Sequence, residues 1–131
     1  MCTILIVGGN GYIGQNIINR CISFKWDVYT LNLHFHNLNS RYKNITEIVC
    51  DVRNLENLKN ALSKYEFTYV VNCLGYVDHS SLNNGGLNVI QTHLMGTINL
   101  VSVLKKQFLK KFINLGSSDE YGYSTAPQVE T

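Results

Sequence analysis

Cys2-Thr3-Ile4-Leu5-Ile6-Val7-Gly8-Gly9-Asn10-Gly11-Tyr12-Ile13-Gly14 decides the reading of this chain. Residues 2–7 are apolar and β-branched throughout, the composition of a strand buried on both faces. From Tyr12 to Phe24 the apolar residues Ile13, Ile17, Ile18, Cys21 and Ile22 recur at helical spacing. Between them, Gly9, Gly11 and Gly14 satisfy G-x-G-x-x-G, and Gly8, Gly11 and Gly14 satisfy G-x-x-G-x-x-G. The first glycines permit a tight turn, Gly11 lets a pyrophosphate approach the backbone, and Gly14 lets the helix pack closely on the first strand. The helix N-terminus then presents free N–H groups and partial positive charge to the phosphates. The alternative is a β-α turn that binds nothing. A P-loop is excluded, because no G-K-[ST] follows.

Outward from that turn, short apolar runs alternate with helical stretches. Val28–Leu33 reads as a second strand, His34–Asn44 as a polar loop, and Glu47–Cys50 as a short third strand ending at Asp51. Asn54 can cap a helix over Leu55–Lys64, with Leu55, Leu58 and Leu62 facing inward. Tyr69–Leu74 is a fourth strand and Tyr76–Gly86 a loop. Leu87–Phe108 reads as one long helix with Ile90, Leu94, Thr97, Val101, Leu104 and Phe108 on its buried stripe, and Phe112–Leu115 is a fifth strand. Such alternation implies an α/β fold with a doubly wound parallel sheet. The expected strand order is 3-2-1-4-5, with a ligand crevice above the first strand, where the order reverses. Residues 1–131 form one domain.

Composition narrows the function classes. The chain has 131 residues, 45% hydrophobic and 15% charged, as in an ordinary globular domain. A net charge of +2 gives no argument for nucleic acid or an acidic membrane. Lys105, Lys106, Lys110 and Lys111 cluster at one helix end, where they would complement its dipole. The apolar run Ile4–Val7 is too short for a signal peptide or a membrane span. Cys2, Cys21, Cys50 and Cys73 form no C-x-x-C pair, which suggests reduced thiols and a cytoplasmic protein. No metal site is expected.

Several motifs in order resemble the extended short-chain dehydrogenase/reductase family, in particular its sugar-nucleotide epimerases and dehydratases. They are the glycine turn, Asp51-Val52-Arg53, Val70-Val71-Asn72-Cys73-Leu74-Gly75, Gly96-Thr97-Ile98-Asn99-Leu100, and Gly116-Ser117-Ser118-Asp119-Glu120-Tyr121-Gly122. The resemblance implies a Rossmann fold that binds NAD or NADP, with NAD favoured. It places Gly8, Gly11, Tyr12, Ile13 and Gly14 at the diphosphate and Asp51 and Val52 at the adenine ring. Leu74 and Gly75 would line the path of the diphosphate and ribose. Read alone, Asp51 could equally cap the strand end. Ser118 would be the catalytic serine bonded to the reacting sugar oxygen, and Asp119 and Glu120 an acid/base pair.

The implied substrate is a nucleoside-diphosphate sugar, and the implied assembly a homodimer of the full-length protein. Two positions depart from the family pattern. Asn32 stands where strongly NAD-preferring members carry Asp or Glu for the ribose, and Arg41 or Lys43 could approach a 2′-phosphate. His93 stands three residues before Gly96-Thr97, where Asn is usual; a polar role there and a purely structural histidine are both open. The family's Tyr-x-x-x-Lys is absent, since no lysine has a tyrosine four residues before it. It would lie beyond Thr131, with the remaining strands and the substrate domain. The chain is therefore expected to be the N-terminal, cofactor-binding part of such an enzyme, inactive by itself. The alternative is a non-catalytic dinucleotide-binding module or truncated relic.

Overall fold

A computed structural model describes residues 2–76, 81–117 and 122–123. Five strands form one parallel sheet: β1 (Thr3–Val7), β2 (Asp27–Asn32), β3 (Ile45–Val49), β4 (Tyr69–Asn72) and β5 (Lys111–Asn114). Their order is β3-β2-β1-β4-β5, as expected, so the connections reverse direction at β1. The neighbours of β1 are in register as Val7 with Leu31 on one side and Val7 with Asn72 on the other.

β1 shows why the sheet is covered on both faces. Its alternate side chains enter two separate cores. Leu5 and Val7 pack with Leu58 and Leu62 of α2 (Leu55–Leu62) and with Leu100 and Leu104. Ile4 and Ile6 pack instead with Ile18 and Cys21 of α1 (Tyr12–Ser23). Asn54 caps α2 as expected, its side-chain oxygen accepting the Asn57 N–H at 3.0 Å.

The long helix differs from its expectation. It consists of α3 (Gly86–Ile90), a π-helical turn (Gln91–Met95) and α4 (Gly96–Val103). Leu104 is extended and buried, so α4 ends a turn before Phe108. The buried face of α4 carries Gly96, Asn99 and Leu100, whereas Ile90, Leu94 and Val101 of the expected stripe are exposed. A π turn inserts extra residues into the helical repeat and rotates everything after it, which a simple 3.6-residue count does not register. Lys105, Lys106 and Lys110 consequently lie in the α4–β5 connection and Lys111 opens β5, and the last turn of α4 contains no basic residue. Lys105 pairs with Glu66 at 3.5 Å instead. Leu55, expected to face inward with Leu58 and Leu62, opens the first turn of α2 and is exposed. Smaller corrections concern the ends of elements. β3 starts at Ile45, β4 stops at Asn72, and the polar loop after β2 contains a 3₁₀ turn (Leu38–Ser40) whose Leu38 is buried.

All four cysteines are free; Cys21 and Cys50 are buried, and Cys2 and Cys73 partly so. Burial pushes the Cys21, Cys50 and Cys73 thiols up, with the Asp51 charge adding to the effect at Cys50. That favours the protonated thiol at each.

The seat of α1 is tight. A Cβ at Gly14 would lie 2.5 Å from the Gly8 carbonyl oxygen and 2.7 Å from Gly9 Cα. Those are backbone atoms, which cannot swing aside as a side chain does. Gly14→Ala is expected to destabilise the fold by about 2 kcal/mol, through forced separation of α1 from the turn, as read by the midpoint of denaturant unfolding.

Candidate functional site

The carboxyl ends of all five parallel strands lie along one edge of the sheet, and the candidate residues collect there. Gly8 leaves β1 with φ 76°, in the left-handed region that suits glycine. Its N–H donates to the Leu31 carbonyl at 2.8 Å, and its carbonyl accepts the Gly11 N–H at 3.0 Å. Gly11 is the N-cap of α1, and no side chain caps the helix. The first-turn N–H groups of Tyr12, Ile13 and Gly14 therefore remain for a ligand or solvent. A Cβ on Gly11 would meet only the Gly8 carbonyl oxygen, at 3.4 Å, so the space above this residue is open. Tyr12, 86% exposed, and Ile13 flank that space.

Beside the turn lies a pocket of about 180 Å³. It brings together Asn32, Asp51, Val52, Leu74 and Gly75, all five of the residues expected at the nucleoside side of the site. The pocket joins the glycine turn through Asn32, whose Oδ1 accepts the Asn10 N–H at 3.2 Å. The Asn32 side chain is buried, and its Nδ2 has no hydrogen-bond partner. An open glycine backbone, an uncapped helix terminus and a buried donor without an acceptor fit a phosphate- and ribose-bearing ligand.

Asp51 does act as a local cap. Its Oδ1 accepts the Arg53 N–H at 2.9 Å, and its carboxylate forms a bidentate pair with the Arg53 guanidinium, with Nη2 2.7 Å from Oδ2. The hydrogen bonds from Arg53 hold the Asp51 carboxyl below the usual range, although partial burial pushes the other way. Asp51 thus stays an anionic acceptor in neutral and mildly acidic solution. Its pairing contributes stability that is present above the ordinary carboxylate range and lost as the pH falls through the lowered value. With both side chains about a third exposed, that contribution is small, below about 1 kcal/mol.

Three features went unassigned in the sequence. Asn99 is buried, and its Nδ2 donates to the carbonyls of Val52 at 2.9 Å and Arg53 at 3.3 Å. Asn72, also buried, donates to Thr97 Oγ1 at 3.0 Å and Asn114 Oδ1 at 2.7 Å and accepts the Leu74 N–H at 3.3 Å. Gly96 brings α4 against Val52, where an added Cβ would meet Cγ2 at 2.7 Å. The Gly96–Leu100 motif is thereby explained: each polar or small residue fastens a loop of the pocket to α4. An isolated Asn within an apolar helix is the only trace of this in the sequence.

His93, on the π turn, is satisfied by backbone groups. Its Nε2 lies 3.1 Å from both the N–H and the carbonyl oxygen of Tyr76, a residue lining the pocket. Ser118, Asp119 and Glu120 lie outside the described residues; they follow β5 in sequence. Among the described residues no cluster of metal-ligating side chains occurs, and no helix is long and apolar enough to cross a membrane.

Known proteins share this fold. A family model described as NAD dependent epimerase/dehydratase family matches residues 4–131. A bifunctional UDP-glucose 4-epimerase and UDP-xylose 4-epimerase of Pisum sativum is 24% identical over 131 residues, covering 91% of this chain and 37% of the relative. The solved ADP-L-glycero-D-manno-heptose-6-epimerase of Helicobacter pylori superposes with a TM-score of 0.78 at 27% identity, covering 98% of this chain and 43% of that one. The UDP-glucose 4-epimerase of Bifidobacterium longum, solved with NAD+ and UDP, gives a TM-score of 0.77 at 21% identity, over 98% of this chain and 41% of that one. The chain spans a little over a third of the length of the curated relatives it matches.

The Asn99 contacts yield a signed pH test. Asn99→Asp keeps the shape but replaces the donor by a carboxylate facing two carbonyl oxygens. It is expected to cost about 3 kcal/mol at neutral pH, as measured by denaturant unfolding. The introduced carboxyl has a raised folded-state pKa, so the cost should shrink as the pH falls toward about 4, where protonation restores a donor.

Proposed function

From the premise that the chain belongs to the NAD dependent epimerase/dehydratase family, we propose that it is the cofactor-binding part of a sugar-nucleotide epimerase or dehydratase. The observation that carries this reading is the junction of the uncapped α1 terminus, the open backbone at Gly11 and the adjoining pocket. In this reading the first-turn N–H groups of α1 hold the diphosphate of NAD or NADP, with Tyr12 and Ile13 beside it. Asp51 accepts from the adenine amine and Val52 packs on the ring. Leu74 and Gly75 line the path between diphosphate and ribose.

The chemistry a nicotinamide supplies is acceptance and return of a hydride at a sugar carbon. Ser118 is assigned a hydrogen bond to the reacting oxygen, and Asp119 and Glu120 the movement of protons; the support is family resemblance and their place after β5. A nucleoside-diphosphate sugar is the proposed substrate. A homodimer and a cytoplasmic setting belong to the same reading. The first is supported by the exposed apolar residues Leu87, Leu94, Ile98 and Val101, and the second by four free thiols.

Gly11 separates binding from folding. Its φ of −68° is open to any residue, and its Cβ position is nearly unobstructed, so Gly11→Val should fold normally. The isopropyl group would stand where the diphosphate lies, and affinity for NAD, NADH, NADP and NADPH should fall by about tenfold or more in calorimetric titration. Unchanged affinity would contradict the site.

The 131 residues contain no Tyr-x-x-x-Lys, the pair that supplies the family's general base. Such a base contributes on the order of two to four decades of rate. The chain alone is therefore expected to give neither reduced cofactor nor altered sugar when incubated with dinucleotide and a panel of nucleoside-diphosphate sugars. Turnover in that assay would assign the base to a residue already present.

A further inference from the structure

We propose that Arg53 sets the base specificity of this site: its guanidinium grips the Asp51 carboxylate and fixes the acceptor that a purine amine must meet. The proposal rests on the dinucleotide reading above, which puts the adenine ring at Asp51 and Val52, and it makes Arg53 a positioning residue.

Arg53 lines the pocket together with Asp51. Three of its N–H groups converge on that carboxylate. The backbone N–H donates to Oδ1 at 2.9 Å, Nε donates to Oδ1 and Oδ2, each at 3.0 Å, and Nη2 donates to Oδ2 at 2.7 Å. A carboxylate offers about four acceptor sites, so this grip takes most of them and stops the group from turning. An ungripped Asp at a pocket rim rotates freely and must be ordered by its ligand, which lowers affinity. The pair also has no net charge, so Asp51 does not repel a diphosphate in the adjoining glycine turn as a bare carboxylate would.

Among the described residues that line the pocket, Asp51 is the one carboxylate and Arg53 the one cation. Two titratable groups face the pair. Cys50 adjoins Asp51 in sequence, and the Tyr76 phenol, from the loop after β4, acts electrostatically on Arg53. Asn32 from the end of β2 and Thr92 from the π turn are uncharged. Each influence that lowers the Asp51 carboxyl comes from Arg53, its side-chain hydrogen bonds first, against the upward push of partial burial.

An anionic acceptor distinguishes purines by one substituent. Adenine carries a donating amine at position 6, whereas hypoxanthine carries a carbonyl oxygen there, which a carboxylate repels. A protonated carboxyl can donate to that oxygen, and the distinction then fades. Arg53 protects the distinction twice, by aiming the carboxylate and by keeping the proton off it. The turn beneath the pair does not need the guanidinium. The Asn54 N–H donates to the Asp51 carbonyl at 3.1 Å, and Asn99 holds the carbonyls of Val52 and Arg53. The bond from the residue-53 N–H to Asp51 Oδ1 is likewise a backbone one. Variants at Arg53 are therefore expected to fold.

Calorimetric titration of the full chain with NAD and with nicotinamide hypoxanthine dinucleotide, from about pH 4 to about pH 7, tests this. Near neutral pH the unmodified chain should bind NAD about tenfold more tightly than the hypoxanthine analogue. Arg53→Ala should cut that ratio to about threefold by weakening NAD, and Arg53→Lys, a point charge without the fork, should recover only part of it. As the pH falls, the remaining ratio should collapse at a higher pH in Arg53→Ala, because the Asp51 carboxyl rises once the guanidinium is gone. An undiminished ratio in Arg53→Ala would overturn the inference and leave the dinucleotide site standing. Equal weakening of both dinucleotides, or a collapse at the same pH in both proteins, would overturn it too, since an arginine that only supports the turn gives those results. No preference for NAD in the unmodified chain would overturn the inference and the placing of adenine at Asp51 together. Binding of neither dinucleotide by the folded chain would remove the site itself, and the inference with it.

Discussion

Between Gly14 and the backbone of Gly8 and Gly9 there is no room for a single carbon. That contact sets the angle at which α1 leaves β1. It points the uncapped first turn along the carboxyl edge of the sheet, beside the pocket between the ends of β2, β3 and β4. A side chain at Gly14 would tilt the helix. A capping side chain at Gly11 would consume the N–H groups that make the terminus an anion site. The glycines thus act in two distinct ways: Gly14 by close packing, Gly11 by leaving space.

The pocket beside the turn is held by polar contacts that the apolar cores do not supply. Asn99 fastens the loop after β3, Asn72 the loop after β4, and His93 reaches Tyr76 from the π turn. Buried amides that satisfy backbone carbonyls in this way are costly to disturb, because each lost donor strands an acceptor away from water. The irregularity of the helix between Gln91 and Met95 belongs to this design. It presents His93 to the pocket while α4 turns Asn99 and Leu100 toward the core.

Much of this was legible in the residues. The buried strand, the glycine turn and the amphipathic helix are local signals with definite periods, and the strand order follows from alternating β and α elements. The five pocket residues Asn32, Asp51, Val52, Leu74 and Gly75 each end a strand or open the loop after it, so a correct strand count places them together. What escaped was set by packing and phase. The π turn cannot be seen in composition, and it moved the buried stripe from Leu94 and Val101 to Asn99 and Leu100. Leu104 was read as helical because it is apolar, yet it is extended and buried. The loop at 33–44 looked merely polar. Its order comes from Leu38, Asn39 and Glu47 acting across it, a long-range arrangement that no local pattern records.

The central claim is that the carboxyl edge above β1 receives a dinucleotide with its diphosphate on α1. Mapping backbone amide shifts by NMR while NADP or NAD is added tests it most directly. The account predicts changes concentrated at Gly9–Gly14, Asn32, Asp51–Arg53 and Leu74–Tyr76. Shifts that spare the glycine turn, or that gather instead on the exposed apolar face of α3 and α4, would contradict it.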